Sequence, residues 1–295
     1  MDWNDLRFFL AVHQGGSLNA AAKALKVTKA TVSRRLAALE EALGAKLFDR
    51  KPNGLAPTAA GQEAIAAAEG IAVQMEELAE RVSSASDDKV RGVVRLTAAP
   101  WLAARTIIPA LPMLKQRHPD LDVQLLSTNA LVNLSQREAD LAIRNVRPTH
   151  KSLTARKVGR LGGCVYGSRL YVERRGAPQS RAEVRGHDVL TYEGLGGMPG
   201  FEWICEPAVG GNIVFSANDP EALVSAATAG LGLTAVPCML GDKSPSLMRI
   251  EGLGVSYCDM FVVARAPQRA LRRIRVVSDF IAETFQTYRP LIEGG

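Results

Sequence analysis

The sequence contains few of the residues that dominate disulfide-rich and metal-binding proteins. It has four cysteines and four histidines in 295 residues, with no C-x-x-C pair and no histidine at metal-ligand spacing from a cysteine. We therefore expect no disulfide scaffold, metal or cofactor. Cys164, Cys205, Cys238 and Cys258 are predicted to be buried reduced thiols. The sequence leaves open whether two of them meet as a redox-sensing pair.

Long apolar runs are also scarce. Residues 222–241 carry no charge and are long enough to cross a bilayer. Gly230, Gly232 and Pro237 divide them, however, and indicate a helix, a turn and a strand of a buried core. Asp2 and Arg7 interrupt the N-terminal segment, so we expect no signal peptide and a cytoplasmic protein.

Catalytic motifs are absent as well. The sequence has no G-x-x-x-x-G-K-[ST], G-x-S-x-G or H-E-x-x-H, and no histidine has a carboxylate or thiol partner at a recognisable spacing. Gly230-Leu-Gly232 imitates a dinucleotide fingerprint but follows a predicted helix and enters a strand, the reverse of the required order. The sequence favours a protein that is not an enzyme. Catalysis stays an alternative only if residues converge in the fold.

Positive charge is concentrated near the N-terminus. The chain has a formal net charge of +6 and a pI near 9.3. Residues 1–60 hold nine basic side chains against five acidic ones. This excess is typical of a protein that binds a polyanion.

Residues 17–43 predict two short amphipathic helices joined by a tight turn. Leu18, Ala21, Ala22 and Leu25 recur at helical spacing, as do Val32, Leu36, Leu39 and Leu43. Ser17 and Thr28 each precede one of these runs, where a hydroxyl accepts from the free amides of the first turn.

The second helix presents a basic and hydroxyl-rich face opposite its apolar stripe. That face carries Lys29, Thr31, Ser33, Arg34 and Arg35. Such residues suit the major groove of DNA, where arginine and lysine pair with guanine and short hydroxyls approach thymine methyls and phosphates. The alternative is a solvated basic helix in any soluble protein.

The flanking segments favour the DNA-binding interpretation. Trp3, Leu6, Phe9, Leu10 and His13 predict a third helix, which Gly15 and Gly16 end. Gly44 ends the second of the two helices. Residues 46–55 then predict a hairpin wing with Arg50, Lys51 and Asn53 at its tip.

At this level the chain resembles the LysR-type transcriptional regulators. The resemblance is carried by Asp5–Val12, Gly16–Ala22, Val32–Leu36, Leu39–Gly44, Lys46–Arg50 and Pro57–Gly61. It implies a winged helix-turn-helix whose DNA contacts are Ser17, Lys29, Thr31, Ser33, Arg34, Arg50 and Lys51. The family usually has Ser-Gln-Pro where this chain has Thr28-Lys29-Ala30, so the base read at Lys29 does not transfer from relatives.

Residues 58–85 predict one long helix. The apolar stripe formed by Ile65, Ala68, Ala72, Met75, Leu78 and Val82 suits a seam with a second subunit. In the family this is the linker helix that builds the dimer, and Ile65, Met75, Leu78 and Val82 are the residues we expect there. The alternative is packing against the chain's own domains.

Beyond a polar break at residues 83–89, strands and helices alternate, which predicts α/β lobes with parallel strands. The expected strands are Val93–Ala98, Val123–Ser127, Leu141–Arg144, Cys164–Tyr166, Val189–Tyr192, Ile213–Phe215, Leu233–Val236 and residues 257–264. The expected helices are Ala103–Arg117 broken near Pro109 and Pro112, Leu131–Glu138, Pro220–Ala229 and Leu271–Tyr288.

The resemblance implies an α/β fold of a winged helix-turn-helix domain (1–57), a linker helix (58–86) and a periplasmic-binding-protein-like effector domain (90–295). Its subdomain I would span about 90–161 and 267–295, and subdomain II about 162–266. Ligands of such lobes lie at the carboxyl ends of the strands. The expected cleft residues are Ala99, Pro100, Trp101, Thr128, Asn129, Arg144, Phe201, Trp203 and Asn218.

The first cleft loop departs from the family. Relatives often place serine or threonine hydroxyls there to hold a carboxylate, whereas this chain has Ala98-Ala99-Pro100-Trp101. An aromatic or otherwise less polar effector is the hypothesis, with Arg144 available to an anion. The alternative places Trp101 in a subdomain core.

These expectations combine into a ligand-responsive regulator that binds DNA as a dimer or tetramer at a roughly palindromic site, with RNA polymerase as a further partner. A DNA-organising protein that senses nothing is the competing interpretation, against which the large C-terminal domain argues.

Overall fold

The computed structural model describes residues 2–51, 54–84, 89–129, 139–150, 152–193, 198–206 and 210–295. The described chain divides into two compact units. The first holds the described residues up to Val90 together with Ala266–Arg275, and the second holds the others. Residues 266–275, which the sequence places in the effector domain, thus belong to the first unit. Arg273 there donates to Glu76 at 2.6 Å.

Three short helices open the first unit: α1 (Trp3–Gly15), α2 (Leu18–Leu25) and α3 (Lys29–Leu43). Gly16 and Gly44 end α1 and α3 in the left-handed conformation, at φ 62° and 66°, as their positions predict. Their shared core is built on fully or almost fully buried apolar residues: Phe9, Val12, Ala21, Val32 and Leu39. The predicted stripes of α2 and α3 face this core, except that Leu43 at the end of α3 is 44% exposed.

A two-stranded antiparallel hairpin follows, formed by β1 (Phe48–Lys51) and β2 (Gly54–Pro57). The predicted wing is therefore present, although Asn53 at its tip lies outside the described residues. The Leu55 amide donates to the Gly16 carbonyl at 2.9 Å. A Cβ at Gly54 would lie 2.6 Å from that same oxygen, so this close approach requires glycine.

The predicted linker helix is α4 (Ala59–Ser84). Thr58 caps it, since its hydroxyl accepts from the Gly61 amide at 2.9 Å and donates to the Lys46 carbonyl at 2.7 Å. Ile65 and Ala68 are 8% and 1% exposed in the core of the first unit. For the first half of this helix, the alternative of packing against the chain's own domains is therefore the one observed.

Within the described residues, nine strands of the second unit form one mixed sheet in the order β4-β3-β5-β11-β6-β9-β7-β8, with β10 paired to β6. These are β3 (Gly92–Ala98), β4 (Leu121–Ser127), β5 (Leu141–Arg144), β6 (Leu153–Ser168), β7 (Asp188–Tyr192), β8 (Asn212–Ala217), β9 (Leu233–Pro237), β10 (Leu247–Arg249) and β11 (Val255–Arg265). The strands β3, β4 and β5 run parallel, as do β7, β8 and β9.

Two long antiparallel strands, β6 and β11, join the two parallel halves. The residues Gly163–Tyr166 of β6 pair with β9, whereas Phe261–Ala264 of β11 pair with β5. On this pairing, we place the point where the chain crosses back to the first half of the sheet inside β11. This point comes before the subdomain boundary expected at residue 266. The strand expected at Cys164–Tyr166 is the end of the 16-residue β6, whose first part the sequence did not predict.

The helices of the second unit are α5 (Pro100–Leu102), α6 (Ile108–Arg117), α7 (Arg169–Arg175), α8 (Pro220–Thr228), α9 (Cys238–Gly241), α10 (Arg272–Thr287), whose first four residues belong to the first unit, and α11 (Arg289–Glu293). The helices α7, α9 and α11 and the strand β10 were not expected. The helix expected at Leu131–Glu138 lies outside the described residues.

The helical run from Pro100 to Arg117 is continuous, so the expected break near Pro109 and Pro112 was wrong. A π-helical turn, Ala103–Ile107, joins α5 to α6, and the Ile108 amide donates to the Ala103 carbonyl. This turn puts Pro109 in the first turn of α6, where the missing N–H costs little.

No helix in the described part of the chain has the length and hydropathy needed to span a membrane.

Candidate nucleic-acid interface and ligand cleft

The predicted caps define the start of α2 and α3. Ser17 Oγ accepts from the Ala20 amide at 3.1 Å, and Thr28 Oγ1 accepts from the Thr31 amide at 3.2 Å. Lys26 turns the chain between the helices in the left-handed region, at φ 54°. Because both helix starts are held by side-chain bonds, the direction of α3 is determined locally.

The outer face of α3 carries the predicted DNA-contacting side chains. Lys29, Ser33 and Arg34 are exposed, and Thr31 is half-buried beside the Thr28 hydroxyl at 2.9 Å. In the part of the chain described, neither Lys29 nor Arg34 forms an ion pair with an acidic side chain. Two cations are thus presented to solvent near the helix start.

Arg35 does not belong to this face. Its guanidinium lies 3.2 Å from carboxylate oxygens of both Asp2 and Asp5, and Asp5 is 5% exposed. The expectation that Arg35 shares the basic face was wrong because the side chain is turned toward α1. The ion pairs of Arg35 therefore hold α3 against the start of α1.

The wing is positioned by a buried carboxylate. Glu40 on α3, 9% exposed, accepts from the Leu47 amide at 2.8 Å and from Lys46 Nζ at 2.7 Å. Arg50 and Lys51 extend from β1 and are exposed. The cations of the wing and of α3 therefore belong to one rigid unit.

The second unit contains a cavity of about 670 Å³ between the two halves of its sheet. Thr97 and Ala98 at the end of β3, Arg144 at the end of β5 and Tyr192 at the end of β7 line it. The long strands contribute Leu153, Leu161, Met260 and Val263 to the lining. The site lies where α/β sheets bind ligands, at the carboxyl ends of parallel strands.

The lining is largely apolar and its charge has one sign. Arg144 and Arg147 contribute to it, and no described residue of the lining is acidic. Burial lowers the pKa of Arg144 from its ordinary value, although the group stays a cation at neutral pH. Burial, with a smaller effect of Asp219 in the same direction, raises the pKa of Tyr192 and keeps the phenol neutral. The cleft is suited to an anion with an apolar body.

Five of the nine expected cleft residues line this cavity: Ala99, Trp101, Thr128, Asn129 and Arg144. Pro100 lies between two of them but outside the lining, as the first residue of α5. Trp101 is 8% exposed and also borders the cavity, so the core and cleft interpretations of its ring both apply.

Phe201, Trp203 and Asn218 were wrong as lining residues. The rings of Phe201 and Trp203 pack on each other at 6.3 Å, and Arg181 lies over the Trp203 ring at 4.8 Å. The Asn218 carbonyl instead accepts from Asn129 Nδ2 at 3.3 Å. This bond joins the two halves of the unit beside the cavity.

Comparison with known proteins identifies the chain. Residues 87–286 match the model described as the LysR substrate binding domain, and residues 3–62 match the bacterial regulatory helix-turn-helix protein, lysR family. The chain belongs to the LysR family of transcriptional regulators.

Individual relatives agree. An HTH-type transcriptional regulator of Xanthomonas campestris pv. campestris (strain 8004) is 32% identical over 239 residues, which cover 79% of this chain and 69% of the relative. The solved structure of CrgA, a LysR-type regulator of Neisseria meningitidis, is 24% identical with a TM-score of 0.58, covering 96% of this chain and 98% of CrgA. The full-length LysG of Corynebacterium glutamicum with bound effector Arg gives a TM-score of 0.68 at 17% identity, covering 97% and 99%.

Several lining residues of this LysR-type regulator were not expected from its sequence. These are Tyr192, Met198, Pro199, Leu161 and Met260. Tyr192 is the last residue of a predicted strand, as Arg144 is, so the rule that ligands bind at the carboxyl ends of strands applies equally to Tyr192. Leu161 carried no such signal because the first part of β6 was not expected. Met260 lies inside the strand expected at residues 257–264 but not at its carboxyl end, so the rule did not select it.

The apolar stripe of α4 changes character along its length. Ile65 is buried within the first unit, whereas Met75, Leu78 and Val82 are 46%, 54% and 66% exposed. Because Ile65 is buried within its own chain, its side chain cannot contact a second subunit. The expectation that Ile65 lies at the dimer seam was therefore wrong. The other three lie at i, i+3 and i+7 and share one exposed face.

Proposed function

We propose that this LysR-type regulator binds a roughly palindromic operator as a dimer. The α3 face would enter the major groove with Lys29, Thr31, Ser33 and Arg34, while Ser17, Arg50 and Lys51 contact the flanking backbone. The support is the pair of exposed cations on a helix whose caps and Arg35 anchor hold it rigid. Two such helices define half-sites about one helical turn apart.

Dimerisation is proposed through the exposed face of α4. A row of apolar side chains on a long helix is costly to leave in water, and Met75, Leu78 and Val82 form such a row. Pairing two copies of this face would cover it. Assembly to a tetramer and contact with RNA polymerase extend the proposal, as does a cytoplasmic location, where the DNA is found.

We further propose that the effector is a small carboxylic acid with an aromatic or similarly apolar body. The two arginines of the lining, Arg144 and Arg147, favour an anion, and Trp101, Met198, Leu161 and Met260 favour an apolar remainder. The bound effector reported for LysG supports the presence of a ligand in this class of domain.

A role other than catalysis is part of the proposal. The family models and the named relatives are regulators.

Selection of bound genomic fragments by the purified protein at stated salt, followed by footprinting, tests the DNA-binding proposal. Recovery of an interrupted palindrome is expected. Recovery without sequence preference would instead support a DNA-organising protein whose basic face binds only the phosphate backbone.

Calorimetry with benzoate, benzyl alcohol, benzylamine and acetate tests the effector class. Benzoate is expected to bind most tightly, since it alone combines the anion and the ring. Equal binding of benzyl alcohol would contradict the role of the arginines, and equal binding of acetate would contradict the role of the apolar lining. Turnover of any of the four compounds would contradict the non-enzymatic assignment.

A further inference from the structure

Two cysteines that are far apart in the sequence meet in the core of the second unit. Cys164 lies on β6 and Cys238 is the first residue of α9. Their sulfurs are 3.4 Å apart, and the residues are 2% and 0% exposed. The site stands outside the cleft lining and outside the DNA-contacting face.

Sheet pairing brings these thiols together. The strands β6 and β9 are antiparallel, with Gly163 opposite Pro237 and Cys164 opposite Val236. Cys238 is two residues beyond Val236, so it lies on the same face as Cys164. The chain leaves the sheet at Cys238 to start α9, and the two sulfurs come into contact.

We propose that Cys164 and Cys238 are a modification site that hydrogen peroxide converts to a reversible disulfide. The contact distance supports this, because a disulfide bond of about 2.05 Å requires the sulfurs to approach by only roughly 1.4 Å.

The reaction balances in two steps. One sulfur attacks the peroxide, so that an S–O bond forms, the O–O bond breaks, and the leaving oxygen takes a proton and departs as water. The second sulfur then attacks the resulting sulfenic acid; the S–S bond forms, the S–O bond breaks, and a second water leaves with the remaining thiol proton. The two sulfurs lose two electrons in total, and one peroxide is reduced to two waters.

Cys238 is the sulfur we assign to the first attack. The hydrogen bond between the two thiols, helped by Tyr166 and by the charge of Arg249, lowers the pKa of Cys238 to about 7 against the opposing effect of burial. The same bond, together with burial, raises the pKa of Cys164 above its ordinary range. The more acidic thiol supplies the nucleophilic thiolate.

The C-terminal residues cover the pair. A Cβ at Gly294 would lie 2.6 Å from the Cys238 sulfur, and the Gly294 carbonyl accepts from Arg249 Nη2 at 2.8 Å. A peroxide must pass this cover, so the reaction requires a local opening and is expected to be slower than that of an exposed thiol.

The test is peptide mass spectrometry of the folded full-length protein after treatment with hydrogen peroxide, with alkylation of the remaining thiols under denaturing conditions. A Cys164–Cys238 linkage is expected as the dominant product, and dithiothreitol is expected to reverse it. This readout needs no DNA or effector, so its outcome is separate from that of the proposed regulator function.

Three variants sharpen the test. In Cys164→Ser a trappable sulfenic acid is expected at Cys238, whereas Cys238→Ser is expected to leave Cys164 unreacted. Cys258→Ser, which removes a buried thiol whose pKa burial raises to about 11, is expected to change nothing. The proposal is wrong if both thiols are still alkylated after the peroxide treatment, or if the dominant linkage joins other cysteines. Unchanged thermal midpoints of the variants show that folding is intact.

Discussion

The two units of the protein present their functional side chains in opposite ways. On α3 and the wing, cations extend outward from a compact helical core into solvent. In the cleft, side chains from both halves of a sheet converge on a cavity of about 670 Å³. The first surface has the exposed charge that suits a long polyanion, and the second has the volume and burial that suit a small molecule.

This difference has a physical consequence for how each site responds to salt. Contacts between exposed cations and phosphates release counterions, so their affinity falls steeply as salt rises. Arg144 is partly buried in an apolar lining, where screening is weaker. The DNA affinity and the effector affinity of one protein should therefore differ in salt dependence.

The largest effect is expected at the exposed face of α4. Leu78→Asp puts a charge on each side of the proposed dimer seam, and loss of the dimer in sedimentation is expected without loss of folding, because Leu78 is 54% exposed. Leu170→Asp, at a residue 61% exposed on α7, is the matched control and should leave the dimer intact. A dimeric Leu78→Asp protein would remove α4 from the interface.

The next effect separates two neighbouring arginines. Arg34→Ala is expected to weaken operator binding by about 1–3 kcal/mol, or roughly five- to 150-fold, with an unchanged thermal midpoint. Arg35→Ala is expected to lower the thermal midpoint, since it removes both ion pairs to α1. Binding titrations over a salt series, with calorimetric unfolding, measure both. An Arg34→Ala protein with wild-type affinity would place that residue outside the interface.

A smaller effect is expected in the cleft. Arg144→Met should weaken benzoate binding about ten-fold, since a hydrogen bond to a charged group contributes about 1.5–3 kcal/mol. Arg147→Met, at an exposed position of the same lining, should cost less and lose its effect at high salt. Calorimetry at two salt concentrations distinguishes them, and equal losses would show that burial does not set Arg144 apart.

The smallest effect concerns closure of the cleft. Arg105 and Glu221 form an ion pair that, like the bond from Asn129 to Asn218, joins the two halves of the second unit. Both side chains of the ion pair are partly exposed, so Arg105→Ala should remove only about 0.2–1 kcal/mol. Benzoate affinity should fall by up to about five-fold because the closed arrangement is less populated.

Arg117→Ala, which removes an ion pair to Glu283 away from the lining, is the control. Equal binding by the Arg105→Ala and wild-type proteins would mean that this ion pair does not bias closure.

The sequence predicted the first unit more completely than the second. The caps at Ser17 and Thr28, the turn glycines and the wing are short-range features, in which a residue contacts neighbours within a few positions. Arg35 was the exception, because its carboxylate partners lie about thirty positions away on α1. The same cause accounts for Ile65, whose burial depends on helices distant in the sequence.

In the cleft, the rule that ligands bind at strand ends selected Ala99, Trp101, Thr128, Asn129 and Arg144 correctly as lining residues. The rule failed for Phe201 and Trp203. Two aromatic rings in a loop are buried equally well when they pack on each other beneath Arg181. A large apolar side chain in a sequence predicts burial, but it does not predict which segment of the chain buries it.

The sequence by itself determined the family, the helix boundaries of the DNA-binding domain, most strands of the α/β domain and the sign of the charge on α3. These follow from local periodicity, capping and composition, which act over a few residues. Only the tertiary structure decided that Arg35 is an anchor, that half of the linker stripe is buried, which side chains share the cleft, and that Cys164 meets Cys238. Each of these depends on contacts between segments far apart in the chain, and those contacts are set by strand pairing and core packing, which no local pattern encodes.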